Sequence, residues 1–181
     1  MQNARQMRRM THINEAIIIR AFCKTPLPPM THILFICLGN ICRSPLAEEV
    51  FRTLAERSGR GKDVEIDSAG LIDYHEGELA DERMRRTAER RGYRLTHRSR
   101  PACAADFRRF DYIVAMDAAN LRGLARLRPA DAKAEVLLLA DYLTHHASSS
   151  IPDPYYGTAA DFEHVVDLCE DACAELLRSM E

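Results

Sequence analysis

Buried strands and amphipathic helices alternate in the pattern of apolar and polar positions along the chain. Residues 32–37 form a continuous apolar run bounded by Gly39-Asn40, which is typical of a strand buried on both faces. Similar runs predict three further strands, at residues 64–70, 111–116 and 135–140. A long loop follows the fourth strand and extends to Gly157.

Helices are predicted between and after these strands. Ser44-Pro45 indicates the start of the first helix, since the hydroxyl can cap it and proline in the first position loses no hydrogen bond. This helix buries one apolar side and ends near Gly59. Further helices are expected at residues 80–91 and from the third strand to about residue 128. The last helix, at about residues 159–179, carries an apolar stripe of Phe162, Val165, Val166, Cys169, Cys173, Leu176 and Leu177.

This alternation over a chain of 181 residues predicts a single α/β domain. We expect a four-stranded parallel sheet with helices on both faces, because short strand–helix connections favour parallel pairing. Ligands of such folds bind beyond the carboxyl ends of the strands. The loops at that edge of the sheet are therefore where chemistry is expected.

Residues 1–29 differ from the rest of the chain. They are rich in arginine, carry Glu15 as their acid and end in the stiff segment Pro26-Leu27-Pro28-Pro29. A targeting peptide is one interpretation, although the segment lacks serine and a good amphipathic stripe. We favour an N-terminal extension, disordered or an over-long start, followed by a domain at residues 30–181.

Composition and charge exclude several classes of function. A formal net charge of −2 argues against wholesale electrostatic binding of nucleic acid, although a local basic pocket stays compatible with it. No apolar run approaches the ~18 residues that span a bilayer, so no membrane partner is expected. The six cysteines are scattered along a chain without a secretory signal, which favours a reduced, cytoplasmic setting.

The loop after the first strand carries the candidate chemistry. Cys37 and Arg43 bracket five residues between a strand and a helix. Backbone amides in such a loop form an anion-binding nest at the helix N-terminus, and the arginine fork can hold two phosphate oxygens. The sequence thus predicts a phosphate-binding loop between the first strand and the first helix, built from Leu38, Gly39, Asn40, Ile41, Cys42 and Ser44 together with Arg43.

Cys37 is the candidate nucleophile at the base of this loop. A helix N-terminus and a nearby cation favour the thiolate, which is the reactive form of cysteine. Gly39 and Asn40 are residue types that tolerate the left-handed backbone of a tight cradle. Ser44 adds a hydroxyl that can hydrogen-bond the sulfur. Cys42 is expected either to approach Cys37 closely enough for a disulfide on oxidation or merely to pack under the helix.

A thiolate that attacks phosphorus displaces an oxygen that needs a proton. Asp153 lies in the segment Asp153-Pro154-Tyr155-Tyr156-Gly157 of the long loop, where a general acid is expected. An Asp-Pro pair taken alone is usually a turn, but two adjacent tyrosines add information. Tyr155 and Tyr156 are candidate walls of a slot for an aromatic group, and the pair Tyr74-His75 is the candidate for the opposite wall.

A metal centre is the competing interpretation of the cysteines. Cys37 and Cys42 are spaced at the edge of what zinc sites use, and such sites need a second pair of ligands. Cys169 and Cys173 fall on the apolar stripe of the last helix, where burial as small apolar residues is the default. We therefore expect no metal site.

Four segments, in order, resemble the low-molecular-weight protein tyrosine phosphatases: residues 37–45, 67–70, 110–117 and 153–162. The similarity extends over about residues 31–177. It implies hydrolysis of protein phosphotyrosine through a cysteinyl-phosphate intermediate, without a cofactor. It also implies tyrosine-phosphorylated proteins as partners, with a cognate tyrosine kinase as a candidate among them.

The resemblance assigns roles to individual residues. It implies that Cys37 is the nucleophile, Arg43 the phosphate clamp and Asp153 the general acid. Tyr74 takes the place of an aromatic wall residue of the family. At the position of Ile41, relatives that act on phosphoarginine carry threonine and tyrosine-directed relatives carry an aliphatic residue.

Four further residues are implied to support the loop from behind. Asn40 and Ser68 hold its shape, and Ser44 with His97 forms an additional layer around it. Without the resemblance, His97 would be taken for an ordinary surface histidine.

Two other functions use parts of the same motif. Arsenate reductase chemistry is the main alternative, but it needs further cysteines as a disulfide relay, and Cys103 is alone in the middle of the chain. A non-catalytic phosphotyrosine-binding module would keep Arg43 and has no use for both Cys37 and Asp153.

Overall fold

A parallel sheet of four strands lies at the centre of the protein, which the computed structural model describes over residues 30–180. The strand order is β2-β1-β3-β4, with β1 at Thr31–Cys37, β2 at Val64–Gly70, β3 at Tyr112–Ala115 and β4 at Glu135–Leu138. Strand β1 pairs with β2 on one side and β3 on the other, which explains its unbroken apolar run. The interpretation of residues 1–29 as an extension lies outside the described residues.

Five helices flank this sheet within residues 30–180: α1 at Arg43–Arg57, α2 at Glu82–Arg90, α3 at Asp106–Arg109, α4 at Ala118–Leu127 and α5 at Ala159–Ser179. Ile33 and Phe35 of β1 pack in the core formed with α1, α2 and α5. Leu34 and Ile36 point to the other face and pack with α3 and α4. The predicted fold class, a single α/β domain with a four-stranded parallel sheet between helices, is confirmed.

The longest helix is α5, which has 21 residues. Neither α5 nor any other helix within residues 30–180 combines the length and hydrophobicity that crossing a membrane requires. Its apolar stripe, which the sequence predicts, packs instead in the core against α1, α2 and the 3₁₀ turn at residues 139–142.

Several element boundaries differ from the predicted ones. Strand β4 ends at Leu138 because residues 139–142 form a 3₁₀ turn, although the apolar run continues to residue 140. Helix α2 begins at Glu82 because the Asp81 carboxylate caps it by accepting from the amide of Arg83. Helix α3 was not predicted, since four residues are too few to show a helical period.

The prediction that Ser44 caps the first helix is wrong. Helix α1 begins at Arg43, and no side chain caps it. The Ser44 hydroxyl instead lies 3.0 Å from the Sγ of Cys37 and accepts a hydrogen bond from the side-chain amide of Asn40 at 2.9 Å. Pro45 still lies in the first turn, where a missing N–H group leaves no bond unmade.

The carboxyl ends of β1 and β2 meet at one edge of the sheet. Cys37 is the last residue of β1 and lies opposite Gly70, the last residue of β2. A Cβ atom at Gly70 would stand 3.0 Å from the carbonyl oxygen of Leu38, so glycine is needed for this close approach. Beyond it, Leu71 donates its amide to the carbonyl of Cys37 at 3.1 Å. The chain after β2 therefore runs directly beside the candidate loop.

Asp171 of α5 forms hydrogen bonds with residues 144–146, the segment that leads to the loop of Asp153. Its carboxylate is 4% exposed and accepts hydrogen bonds from the backbone amides of Thr144, His145 and His146 at 2.9–3.3 Å. Burial alone would raise the pKa of Asp171, but hydrogen bonds from these three residues outweigh burial and hold the pKa well below its ordinary value of 3.8.

Replacing Asp171 with alanine should lower the free energy of unfolding by about 1–3 kcal/mol at pH 7, because the loop amides lose a charged acceptor. A depressed pKa contributes stability above pH 3.8, and that contribution is lost as the pH falls toward the lower pKa of the folded state. The difference in the free energy of unfolding between wild type and Asp171→Asn, measured by urea unfolding, should therefore become smaller as the pH is lowered from 7 to 3. Asp141→Asn is the control, since it neutralises an exposed acid in the neighbouring 3₁₀ turn whose side chain makes no hydrogen bond within residues 30–180. An unchanged difference would contradict the assignment.

Candidate active site

The thiol of Cys37 lies at the base of the loop between β1 and α1. Its side chain is buried, and its Sγ accepts a hydrogen bond from the backbone amide of Asn40 at 3.2 Å. The hydroxyl of Ser44 lies 3.0 Å from the same sulfur. Because α1 begins at Arg43, the loop amides and the helix N-terminus surround the sulfur with partial positive charge. This surrounding favours the binding of an anion above the sulfur.

Asn40 is the left-handed residue of the loop, with a φ of 54°. Asparagine adopts this conformation more readily than most residues other than glycine. The same expectation for Gly39 is wrong, since its φ lies outside the left-handed region. The space at Gly39 is tight, because a Cβ atom there would stand 3.2 Å from Cδ2 of His75 and the His75 ring would have to shift.

The side chain of Asn40 ties the loop to the elements behind it. Its amide nitrogen donates to the hydroxyls of Ser44 and Ser68, each at 2.9 Å. The Ser68 hydroxyl donates in turn to the carboxylate of Glu48 at 2.7 Å. Nε2 of His97 lies 3.2 Å from the side-chain oxygen of Asn40. A buried polar network of this kind holds a strained loop in one shape.

Arg43 lies between two carboxylates. Its guanidinium donates from Nη1 to Asp117 at 2.5 Å and from Nη2 to Asp153 at 2.6 Å. Burial works against the charged form, but the negative charges of Cys37, Asp153 and Asp117 outweigh it and raise the pKa of Arg43. The Nε atom is buried and has no hydrogen-bond partner within residues 30–180. A buried donor without an acceptor beside an anion-binding loop is a free position for an oxygen of a ligand.

An open cavity of about 550 Å³ lies above the loop. Its walls carry aromatic rings, with Tyr155 and Tyr156 packed edge to face at 5.0 Å and Tyr74 beside His75 at 5.0 Å. Tyr74 and Tyr156 are 81% and 97% exposed, so their faces are free to contact a bound ring. The lining residues are Cys37, Leu38, Gly39, Ile41, Cys42, Arg43, Ile72, Tyr74, His75, Asp153, Tyr155 and Tyr156.

One group of side chains behind the loop has the geometry of a cation site. Glu48, Asp67 and His97 present ligand atoms within 4.8 Å of one another. Both carboxylates already have cationic partners, since Arg52 donates to Glu48 at 2.6 Å and Arg100 donates to Asp67 at 2.8 Å. These guanidinium groups compensate the charge that a metal ion would otherwise balance.

Comparison with known proteins identifies the family. The sequence profile described as low molecular weight phosphotyrosine protein phosphatase matches residues 32–181. The chain belongs to this family. A low molecular weight protein-tyrosine-phosphatase of Streptomyces coelicolor is 42% identical over 151 residues, covering 82% of this chain and 92% of that protein. The human low molecular weight phosphotyrosine protein phosphatase is 40% identical over 147 residues, covering 80% and 92%.

A solved structure shows the same architecture. The crystal structure of a protein tyrosine phosphatase from Entamoeba histolytica aligns with a TM-score of 0.79 at 42% identity. The alignment covers 82% of this chain and 95% of that one. Membership of the phosphatase family therefore rests on sequence and on fold together.

Within this family member, the residues predicted as a site are brought together. The cavity brings Cys37, Arg43 and Asp153 into one space, and Asn40, Ser44, Ser68 and His97 lie behind the loop in one hydrogen-bonded network. Cys42 is buried and free, and burial raises the pKa of its thiol. Cys103 is exposed and does not line the cavity.

Two residues of this site were given no role from the sequence. Asp117 holds Arg43, and Glu48 anchors Ser68. His75, expected with Tyr74 on the wall opposite the other tyrosines, lines the cavity. A signal existed for Asp117, because an acid placed shortly after a buried strand lies at the same edge of a parallel sheet as the loop. No sequence signal marks Glu48, which is a buried acid on the inner side of α1.

Proposed function

We propose that this protein hydrolyses phosphotyrosine in proteins through a cysteinyl-phosphate intermediate. The observation that carries the proposal is that a thiol, a guanidinium and a carboxylate line one aromatic-walled cavity above a loop of inward amides. The match to the low molecular weight phosphotyrosine protein phosphatase family supports the same conclusion.

In the first step, the thiolate of Cys37 attacks phosphorus. The phosphate oxygens accept hydrogen bonds from the loop amides and from the guanidinium of Arg43. The Nε of Arg43 is the donor that has no partner within residues 30–180. Phosphate replaces Asp153 as the partner of Arg43. The protonated carboxyl of Asp153 then transfers its proton to the tyrosine oxygen as the P–O bond breaks and the S–P bond forms. The products are a tyrosine phenol and a phosphorylated cysteine.

In the second step, water attacks the phosphorylated cysteine. The carboxylate of Asp153, now without its proton, accepts a proton from the water as the P–O bond forms and the S–P bond breaks. The Ser44 hydroxyl, 3.0 Å from Sγ, donates to the departing thiolate and stabilises its charge. Inorganic phosphate then leaves the loop.

The walls of the cavity support a phosphorylated ring as substrate. The exposed rings of Tyr74 and Tyr156 offer stacking surfaces at the entrance, and Ile41 is a buried aliphatic residue of the loop. We infer that tyrosine-phosphorylated proteins are the partners, with a cognate tyrosine kinase as a candidate among them. A reduced, cytoplasmic setting keeps a nucleophilic thiol in its active form.

Parallel assays of phosphotyrosine peptide, phosphoserine peptide and arsenate, with EDTA present, test the proposal. We expect phosphate release from the phosphotyrosine peptide but not from the phosphoserine peptide, no reduction of arsenate, and no loss of activity with EDTA. Turnover that EDTA abolishes would contradict thiol-only chemistry, and arsenate reduction would favour the alternative function. That alternative is not favoured, because Cys103 lies outside the cavity lining and the matched relatives carry phosphatase names.

Ile41→Thr tests the role of the loop in substrate choice. Ile41 is largely buried, lines the cavity and anchors α2 through its carbonyl, which accepts from the amide of Asp81 at 2.8 Å. A hydroxyl in its place should shift the ratio of kcat/KM toward phosphoarginine over phosphotyrosine by about tenfold, the value of one polar contact. Ile41→Val, which keeps an aliphatic side chain, is the control. An unchanged ratio in the threonine variant would count against a role for this position.

A further inference from the structure

A second groove, of about 540 Å³, adjoins the catalytic cavity. The two share Leu38, the residue that directly follows Cys37 in the loop. The side chain of Leu38 is exposed, so it forms a ridge common to both depressions. Besides Leu38, the groove is lined by Leu71, Ala102, Leu127, Arg122 and Arg126, among others.

The groove is held in a fixed position relative to the nucleophile. Leu71 donates its backbone amide to the carbonyl of Cys37 at 3.1 Å. Its side chain packs against Gly123 of α4, where a Cβ atom would stand 2.5 Å from Cδ1 of Leu71. The glycine therefore lets Leu71 lie close to the helix and form the apolar floor. Because both walls are tied to the core, the groove does not depend on a mobile loop.

Two arginines at the groove have no partner. Arg122 and Arg126 are exposed, lie four positions apart on one face of α4, and make no ion pair or hydrogen bond through their side chains within residues 30–180. The arginines of α2 differ, since Arg83, Arg86 and Arg90 each pair with a carboxylate. All the other residues that line the groove in the described part of the chain are apolar. The groove thus offers apolar contact and uncompensated positive charge.

We infer that this groove binds the polypeptide that flanks the phosphotyrosine. An apolar side chain of the substrate packs against Leu38, Leu71 and Leu127, and a neighbouring carboxylate pairs with Arg122 and Arg126. A peptide whose phosphotyrosine fills the cavity crosses Leu38 to reach the groove, so one chain occupies both. The inference rests on the proposed function and defines its substrate class, which is phosphotyrosine with an apolar and an acidic residue close by in the sequence.

Peptide kinetics with charge variants test this inference. Arg122→Glu should lower kcat/KM by about tenfold for a phosphotyrosine peptide with flanking leucine and glutamate, since attraction becomes repulsion. It should raise kcat/KM for the matching peptide with lysine in place of glutamate. The value for p-nitrophenyl phosphate, which fills only the cavity, should stay unchanged, and the peptide effect should shrink at 0.5 M salt.

Arg128→Glu is the matched control, because it makes the same charge change at the end of the same helix and does not line the groove. Equal effects of the two variants would overturn the inference, as would equal losses with p-nitrophenyl phosphate. Failure of the wild-type protein to hydrolyse any phosphotyrosine substrate would instead overturn the proposed function. In that case the groove is still tested by calorimetric titration with the acidic peptide, which compares the Cys37→Ser variant with the Cys37→Ser, Arg122→Glu double variant. Tenfold weaker peptide binding by the double variant supports the groove, and unchanged binding refutes it.

Discussion

The Cys37→Ser variant is expected to lose phosphotyrosine hydrolysis by about four to six orders of magnitude, the scale on which removal of a catalytic nucleophile acts. A serine hydroxyl is not ionised near neutral pH. In the described structure its hydrogen-bond neighbours at residue 37 are the amide of Asn40 and the hydroxyl of Ser44, and neither is a base that could activate it. The loop amides and Arg43 are unchanged, so inorganic phosphate should still bind. Steady-state kinetics and calorimetric titration with phosphate measure the two properties separately.

Cys103→Ser is the matched control for this variant. Cys103 is an exposed free cysteine outside the cavity, so its replacement should leave both turnover and phosphate binding unchanged. If Cys37→Ser kept turnover within about a hundredfold of wild type, covalent catalysis by this thiol would be excluded. Loss of phosphate binding in the same variant would show that the thiol shapes the loop as well as attacking the substrate.

The Asp153→Asn variant should lose about 10²- to 10⁴-fold in kcat on phosphotyrosine, because the tyrosine oxygen then departs without a proton. The carboxylate lies at the cavity and pairs with Arg43 at 2.6 Å, which places it next to the site where phosphate binds. A substrate whose phenol is strongly acidic needs little protonation, so its loss should be much smaller. The measurement is kcat across a series of aryl phosphates with phenols of graded acidity.

Asp73→Asn provides the comparison for Asp153→Asn. Asp73 is an exposed acid beside Tyr74 that does not line the cavity, and its replacement should leave the whole series unchanged. Equal losses of Asp153→Asn across the series would remove Asp153 from the role of general acid. A loss that grows as the phenol becomes less acidic would support that role.

Most of the fold was predictable because it depends on local patterns. Apolar runs of strand length and helical stripes recur along the chain, and they indicate the four strands and most of the helices in the right order. The boundaries were less predictable, since they depend on particular contacts. Residues 139 and 140 are as apolar as the strand before them, yet they form a 3₁₀ turn.

The candidate site likewise has a part that local sequence predicts and a part that depends on contacts between distant residues. The sequence alone predicted the candidate loop from Cys37 to Arg43, because a cysteine, a tight turn and an arginine within one short segment need no information from elsewhere. It also singled out Asp153, through its position in a long loop with two tyrosines. The sequence could only suggest that Asp153 lies next to the loop, because 110 residues separate Asp153 from Arg43.

Only the tertiary structure decided which distant side chains support this loop. Asp117 reaches Arg43 across 74 residues of sequence, and Ser68 reaches Glu48 across 20. The groove beside the cavity likewise combines Leu38, Leu71 and the outer face of α4. Spacing along a chain sets which residues share a face of one helix or strand, whereas contacts between elements depend on strand register and on how the helices pack. The Ser44 hydroxyl illustrates this difference between local pattern and tertiary contact. The local pattern predicts that it caps a helix, whereas in the structure it lies within hydrogen-bond distance of the sulfur of Cys37.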